Sequence, residues 1–187
     1  MHRPPFFALA AVAFLMLACD RVPDSTSPAM THGSHGAPSL SKSPPSAQVA
    51  QDVAALRELT APFHDFEAAS KAGWTMPIPG CFSHPTLGGM GYHFGNAALI
   101  DGKVDELEPE LLVYEPQRNG RLRLVAVEYI VPFGAWTGAE PPRLFEQSFH
   151  RNEAFGLWVL HVWHFRHNPS GMFTDWNPDV SCEFAAS

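Results

Sequence analysis

An α+β fold, with an N-terminal helix packed on a mostly antiparallel sheet, is predicted by three features of the sequence. Val49, Val53, Leu56, Phe63 and Phe66 recur at helical spacing. Two strand-like runs, 111–114 and 122–130, flank Asn119-Gly120, a dipeptide favoured in hairpin turns. A further run, 156–166, is dense in β-branched and aromatic residues. The composition agrees with a folded body. Hydrophobic residues make up 45 % of the 187-residue chain, and 14 Phe, 5 Trp and 3 Tyr can fill a core, which excludes whole-chain disorder. Lys and Arg number 12 against 19 Asp and Glu, a net charge of −7. A nucleic-acid binder needs a basic face to release counterions, so that class is excluded.

The helix is expected over 47–72. Ser46 can cap its start and Gly73 can end it. Pro62 lacks the N–H that an α-helix needs, so the segment forms one kinked helix or two, with Thr60 as the second N-cap. From 74 to 91 there are three Pro and four Gly, which predicts a long ordered loop. A strand follows at 90–95. In it His93 has Gly91 and Gly95 two residues away on each side, leaving room for a ligand or for a close backbone. The five carboxylates between Asp101 and Glu110 lack the EF-hand pattern and predict a solvated loop.

A two-residue type I′ turn at Asn119-Gly120 would place Arg118 opposite Arg121, Tyr114 opposite Val125 and Leu112 opposite Val127. Alternation then puts Leu122, Leu124, Ala126, Glu128 and Ile130 on one face of the second strand. Arg123, Val125, Val127 and Tyr129 take the other. Glu128 thus interrupts an apolar stripe, and a buried carboxylate is costly unless paired, hydrogen-bonded or metal-bound. A strand at 156–166 would align Leu157, Val159, His161, Trp163 and Phe165, with His164 opposite. A helix there would instead make His161 and His164 neighbours. Two successive turns, 168–171 and 176–179, close the chain.

The amino terminus carries an address. Arg3 precedes an uncharged run, 6–17, that is shorter than the roughly 20 residues a membrane-spanning helix needs. It fits a secretory signal. Met16-Leu17-Ala18-Cys19 is similar to a bacterial lipobox, whose Cys is acylated and becomes the first mature residue. Asp20 after it implies a lipid anchor on the periplasmic side of the inner membrane, with the outer membrane or secretion as alternatives. Residues 20–48 hold seven Ser and five Pro without an aromatic residue, and predict a disordered tether to a single domain at 49–187. His32 and His35 lie in it as incidental residues.

With Cys19 lipidated, Cys81 and Cys182 remain. In an oxidising compartment such a pair bonds, which would tie the start of the domain to its end. Two thiolate metal ligands are the alternative, without CxxC spacing to support them.

The motifs Met90-Gly91-Tyr92-His93, Leu112-Val113-Tyr114-Glu115-Pro116, the VEYIVP run ending at Pro132, Leu160-His161-Val162-Trp163 and Asn168-Pro169-Ser170-Gly171 are similar to those of a family of small exported bacterial proteins and lipoproteins. The resemblance spans about 51–182. It implies a domain boundary and export, and brings no activity, cofactor or substrate.

Walker A, GxGxxG, GxSxG and HExxH motifs are absent from the sequence. Three functions therefore remain open. His93, Glu128 and His161, with His64 and His150 as further candidates, could bind a small ligand or a divalent transition metal such as Zn, Cu, Ni or Fe. Glu128 and His161 could instead work as acid and base in an enzyme. A body without a site, presenting an exposed patch of Trp and Phe to an envelope protein, is the third. A lipid-anchored envelope protein with a small-ligand or metal site is the reading preferred, with the membrane as partner through Cys19.

Overall fold

A computed structural model describes residues 44–186. The signal, Cys19, and the tether up to residue 43 lie outside the described residues.

Ser46 caps helix α1 (Ala47–Thr60), its hydroxyl accepting the Val49 N–H. Val49, Val53, Leu56 and Thr60 form its buried stripe. The break falls at Pro62, in a 3₁₀ turn over Ala61–His64, and α2 (Phe66–Lys71) follows. The second cap is Asp65, whose carboxylate accepts the Glu67 N–H, and not Thr60. Thr60 is the last residue of α1 and closes the buried stripe, and its hydroxyl donates to Leu56 O and faces the His164 ring at 2.9 Å.

Six strands form a curled antiparallel sheet in the order β1-β2-β3-β4-β8-β7. They are β1 (Met76–His84), β2 (Gly88–Gly95), β3 (Leu111–Pro116), β4 (Leu122–Pro132), β7 (His150–Asn152) and β8 (Leu157–Val162). A small hairpin, β5 (Arg143–Leu144) and β6 (Gln147–Ser148), stands beside it. The loop expected over 74–91 is therefore corrected: β1 and the start of β2 form a hairpin there. Pro77 and Pro79 are tolerated because β1 is an edge strand, free of a second ladder.

The turn between β3 and β4 has three residues. Gln117 N–H donates to Arg121 O and Gly120 N–H to Gln117 O, with Gly120 at φ +76°. This is a type I turn closed by a left-handed glycine. The extra residue shifts the register, so Tyr114 faces Leu124 and not Val125, and Arg118 no longer faces Arg121. A β-bulge between Val113 and Tyr114 then restores the expected pairing, and Leu112 faces Val127. The bulge also turns Leu122 and Leu124 over. They join Val127, Tyr129 and Val131 on the helix side, while Ala126 and Ile130 stay on the other side.

The sheet thus has two unlike faces. One packs Leu112, Tyr114, Leu124, Val127, Tyr129 and Leu160 against the buried stripe of α1. Tyr114 fastens the 3₁₀ turn to this face by donating to Phe63 O at 2.8 Å. The opposite face carries Leu111, Ile130 and Val159, with Ile78 and Leu157 at their margin. The C-terminal segment crosses to β2 through a bridge between Gly89 and Asn177. Cys81 and Cys182 form a disulfide that ties this segment to β1. The acidic loop is only in part solvated: Glu110 is buried and accepts the Ile130 N–H at 3.1 Å. Among the described residues no helix is long and apolar enough to cross a membrane.

Candidate metal centre

On the face away from the helix, three strands, β2, β4 and β8, direct polar side chains to one point. Glu128 on β4 and His161 on β8 are direct register partners. His93 comes from β2, whose partner across β3 is Val113. All three are buried, at 3 %, 7 % and 1 % exposure for His93, Glu128 and His161. Curling of the sheet closes the diagonal between them. His93 Nε2 lies 3.3 Å from Glu128 Oε2 and 3.4 Å from His161 Nε2, and His161 Nε2 lies 3.8 Å from the same carboxylate oxygen.

The glycines around His93 serve close packing. A Cβ on Gly91, whose φ is +109°, would meet the Tyr114 carbonyl oxygen at 2.4 Å, so this glycine brings β2 against β3. Gly95 packs against Met76 and Leu111 in the same way.

The electrostatics follow from burial. Desolvation, and then the neighbouring His161, push the His93 pKa down to about 3. His93 is therefore a neutral imidazole, the form that ligates metal. Burial raises the Glu128 pKa. Burial alone would lower that of His161, but the carboxylates of Glu128 and Asp175 outweigh it and raise it.

Asp175 is the residue that sequence reasoning missed. Its Oδ1 stands 3.3 Å from His161 Nδ1, outside hydrogen-bond geometry, and its Oδ2 pairs with His150 Nε2 at 3.0 Å. Burial would raise its pKa, but the hydrogen bond from His150 and the charge of His161 hold it well below the usual carboxylate range. Backbone groups on both sides pin it: Thr174 O accepts from the Trp163 indole, and Trp176 O from the Asn168 amide. No hydrophobic period marks a carboxylate in such a loop. The only sequence signal is its place between the two turn motifs, 168–171 and 176–179.

The five candidates from the sequence thus separate. His93, Glu128 and His161 converge. His150 reaches the cluster through Asp175. His64 does not: it sits on the 3₁₀ turn with its ring edge against Phe165, centroids 4.3 Å apart. His164 lies on the helix side against Thr60, as alternation from His161 requires.

The cluster opens into a cavity of about 310 Å³. Its wall is mostly apolar, from Ile78, Phe82, Leu111, Ile130, Leu157 and Val159, with the polar groups gathered around the cluster. Among the described residues, the exposed large apolar side chains are Leu59, Leu87, Leu107, Phe155 and Phe184, scattered over separate elements and without a Trp. The His- and Glu-lined cleft, and not an exposed aromatic patch, is the feature present.

Comparison with known proteins adds no family: no protein-family model, no curated protein and no solved structure matches the chain.

Proposed function

We propose that this is an exported, lipid-anchored envelope protein whose body binds one divalent transition metal ion through His93, Glu128 and His161. The observation that carries the reading is the triangle of ligand atoms, with edges of 3.3, 3.4 and 3.8 Å. A tetrahedral ion with ligands at 2.0–2.1 Å has ligand–ligand edges of about 3.3–3.4 Å. Two of the three edges match one face of such a tetrahedron and the third is about 0.4 Å longer, and the cavity that all three residues line leaves room for a fourth ligand. Two imidazoles and one carboxylate with an open position suit Zn²⁺ in catalytic sites and Fe²⁺ in non-haem sites. The burial supports it too. His93 Nδ1, His161 Nδ1 and Asp175 Oδ1 are buried without a hydrogen-bond partner. An ion on the two Nε2 atoms leaves the His161 proton on Nδ1, facing Asp175 Oδ1 at 3.3 Å, from where Asp175 supports the imidazole from behind. The anchor rests on the lipobox-like Cys19 and on the resemblance to exported lipoproteins.

Metal analysis of the purified protein, dialysed against Zn²⁺ or against Fe²⁺ under anaerobic conditions, is the test. One equivalent is expected in the wild type and less than a tenth in His93→Ala and in Glu128→Gln, at unchanged far-UV circular dichroism. A wild type that retains no metal, or variants that retain it equally, would refute the centre. Labelled palmitate should enter the wild type and not Cys19→Ser.

A further inference from the structure

We propose that the open side of this centre receives a small amphiphilic monocarboxylate, with its carboxylate on the metal and its apolar body in the cavity. The inference rests on the metal reading above and names the ligand class of that same site.

The cavity is one-sided in chemistry. Ile78, Phe82, Leu111, Ile130, Leu157 and Val159 line it away from the cluster, so a bound molecule meets apolar surface over most of its length. The volume of about 310 Å³ equals roughly ten waters at ~30 Å³ each, the room of a ligand with about ten non-hydrogen atoms. Water alone gains little from such walls, and an apolar body displaces it favourably.

The head follows from charge. A divalent ion held by one carboxylate, Glu128, keeps a net single positive charge in a buried place. Charge next to apolar walls is costly unless neutralised, and one anionic ligand in the open position does so. Asp175 lends negative charge from behind His161 but does not fill the open position, because its Oδ2 is paired with His150 and its Oδ1 faces the Nδ1 side of His161. A carboxylate also offers a second oxygen. Asn152 and Trp176 are among the residues lining the cavity, and their side chains carry N–H donors that make no hydrogen bond among the described residues, so a second oxygen has donors in the same wall. A cationic head is repelled by the ion.

The mouth is built for an apolar visitor. Phe155, in the turn between β7 and β8, is 57 % exposed yet lines the cavity and meets Phe82 edge-on, with ring centroids 6.2 Å apart. A ligand body in the cavity covers the inner face of that ring.

The test uses the full chain with Cys19→Ser, so that no lipid or detergent competes, loaded with Co²⁺ as a visible reporter of coordination. Hexanoate is expected to shift the Co²⁺ bands saturably and to bind at least thirtyfold more tightly than acetate, since each buried methylene is worth about fourfold. Hexylamine should leave the bands unchanged, and hexanol should bind at least tenfold more weakly than hexanoate. Phe155→Ser should weaken hexanoate severalfold while leaving acetate and the ligand-free bands as they were. If hexanoate and acetate bind alike, or hexanol matches hexanoate, the ligand class is wrong and the metal centre stands. If the wild type develops no Co²⁺ bands, the centre itself fails and this inference falls with it.

Discussion

Asp175 and His161 set the tuning of the site at the scale of single residues. In metal centres an outer carboxylate behind a ligating imidazole fixes its orientation, and its loss costs 10–100-fold in affinity. Asp175→Asn should therefore weaken metal binding by about that factor with little change in thermal stability, measured by competition with a chromophoric chelator. An unchanged affinity would make Asp175 a purely structural partner of His150. His164, three residues on, acts on stability. It is buried, its Nδ1 lies 3.0 Å from Val162 O, and burial lowers its pKa to about 4. A carbonyl only accepts, so Nδ1 holds the proton, and Nε2 stands 2.9 Å from the Thr60 hydroxyl oxygen, whose own proton goes to Leu56 O. Below its ordinary pKa the unfolded chain takes up a proton that the folded chain refuses. Stability from this group is thus full above pH 6.5 and falls as the pH drops from 6.5 to about 4, by on the order of 3 kcal/mol. Melting temperatures of wild type and His164→Asn should converge over that window, and parallel curves would exclude His164 as the cause. Glu128 and His161 were legible in the sequence because each breaks an apolar stripe. Asp175 was not, because a loop has no period to break.

The strands and turns explain where sequence reasoning succeeded by cancellation. The hairpin turn holds one residue more than Asn119-Gly120 suggests, and the bulge at Val113/Tyr114 absorbs it. The pairing of Leu112 with Val127 therefore survived, and with it the inward placement of Glu128, while the stripe next to the turn was inverted. The β1–β2 hairpin was hidden for a different reason. Its Pro and Gly residues are punctuation in most contexts, but here Pro occupies an edge and Gly permits contact between backbones. Two glycines with positive φ separate these effects. Gly91→Ala sets a Cβ 2.4 Å from the Tyr114 carbonyl oxygen and should cost about 3 kcal/mol. Gly120→Ala meets nothing within 4 Å and should cost only about 1 kcal/mol, the backbone penalty alone. Urea denaturation of the two variants decides it, and equal losses would mean that the close approach of β2 to β3 relaxes freely.

For the whole molecule, the division of labour is between faces: one side of the sheet holds the helix and the main core, and the other holds the centre and its cavity. The α+β class was legible because helix and strand periods are both strong in the chain. The order of the strands was not, since pairing of β8 with β4 rather than with a nearer neighbour leaves no local mark. The Cys81–Cys182 bridge spans a sequence separation of 101 and fastens the segment that carries Asp175. Replacing both cysteines with Ser should lower stability by about 5 kcal/mol in the chain-entropy account. It should also weaken metal binding, because Asp175 is then less firmly held. Guanidinium denaturation and chelator competition read the two effects separately, and a loss of neither would leave the bridge without a role in the native state.

The pairing of Glu128 with His161 has a consequence in time. The imidazoles of His93 and His161 meet across 68 residues of chain, from strands that are not neighbours. In the unfolded chain the nearest chelating group is instead the run His161, His164 and His167, which folding takes apart by sending His161 to one face and His164 to the other. Any ion held at that run before folding would lose it once β8 docks on β4. Under the proposed function, an ion taken up afterwards would be one chosen by the finished sheet, and the metal supply that matters would be that of the compartment in which folding ends.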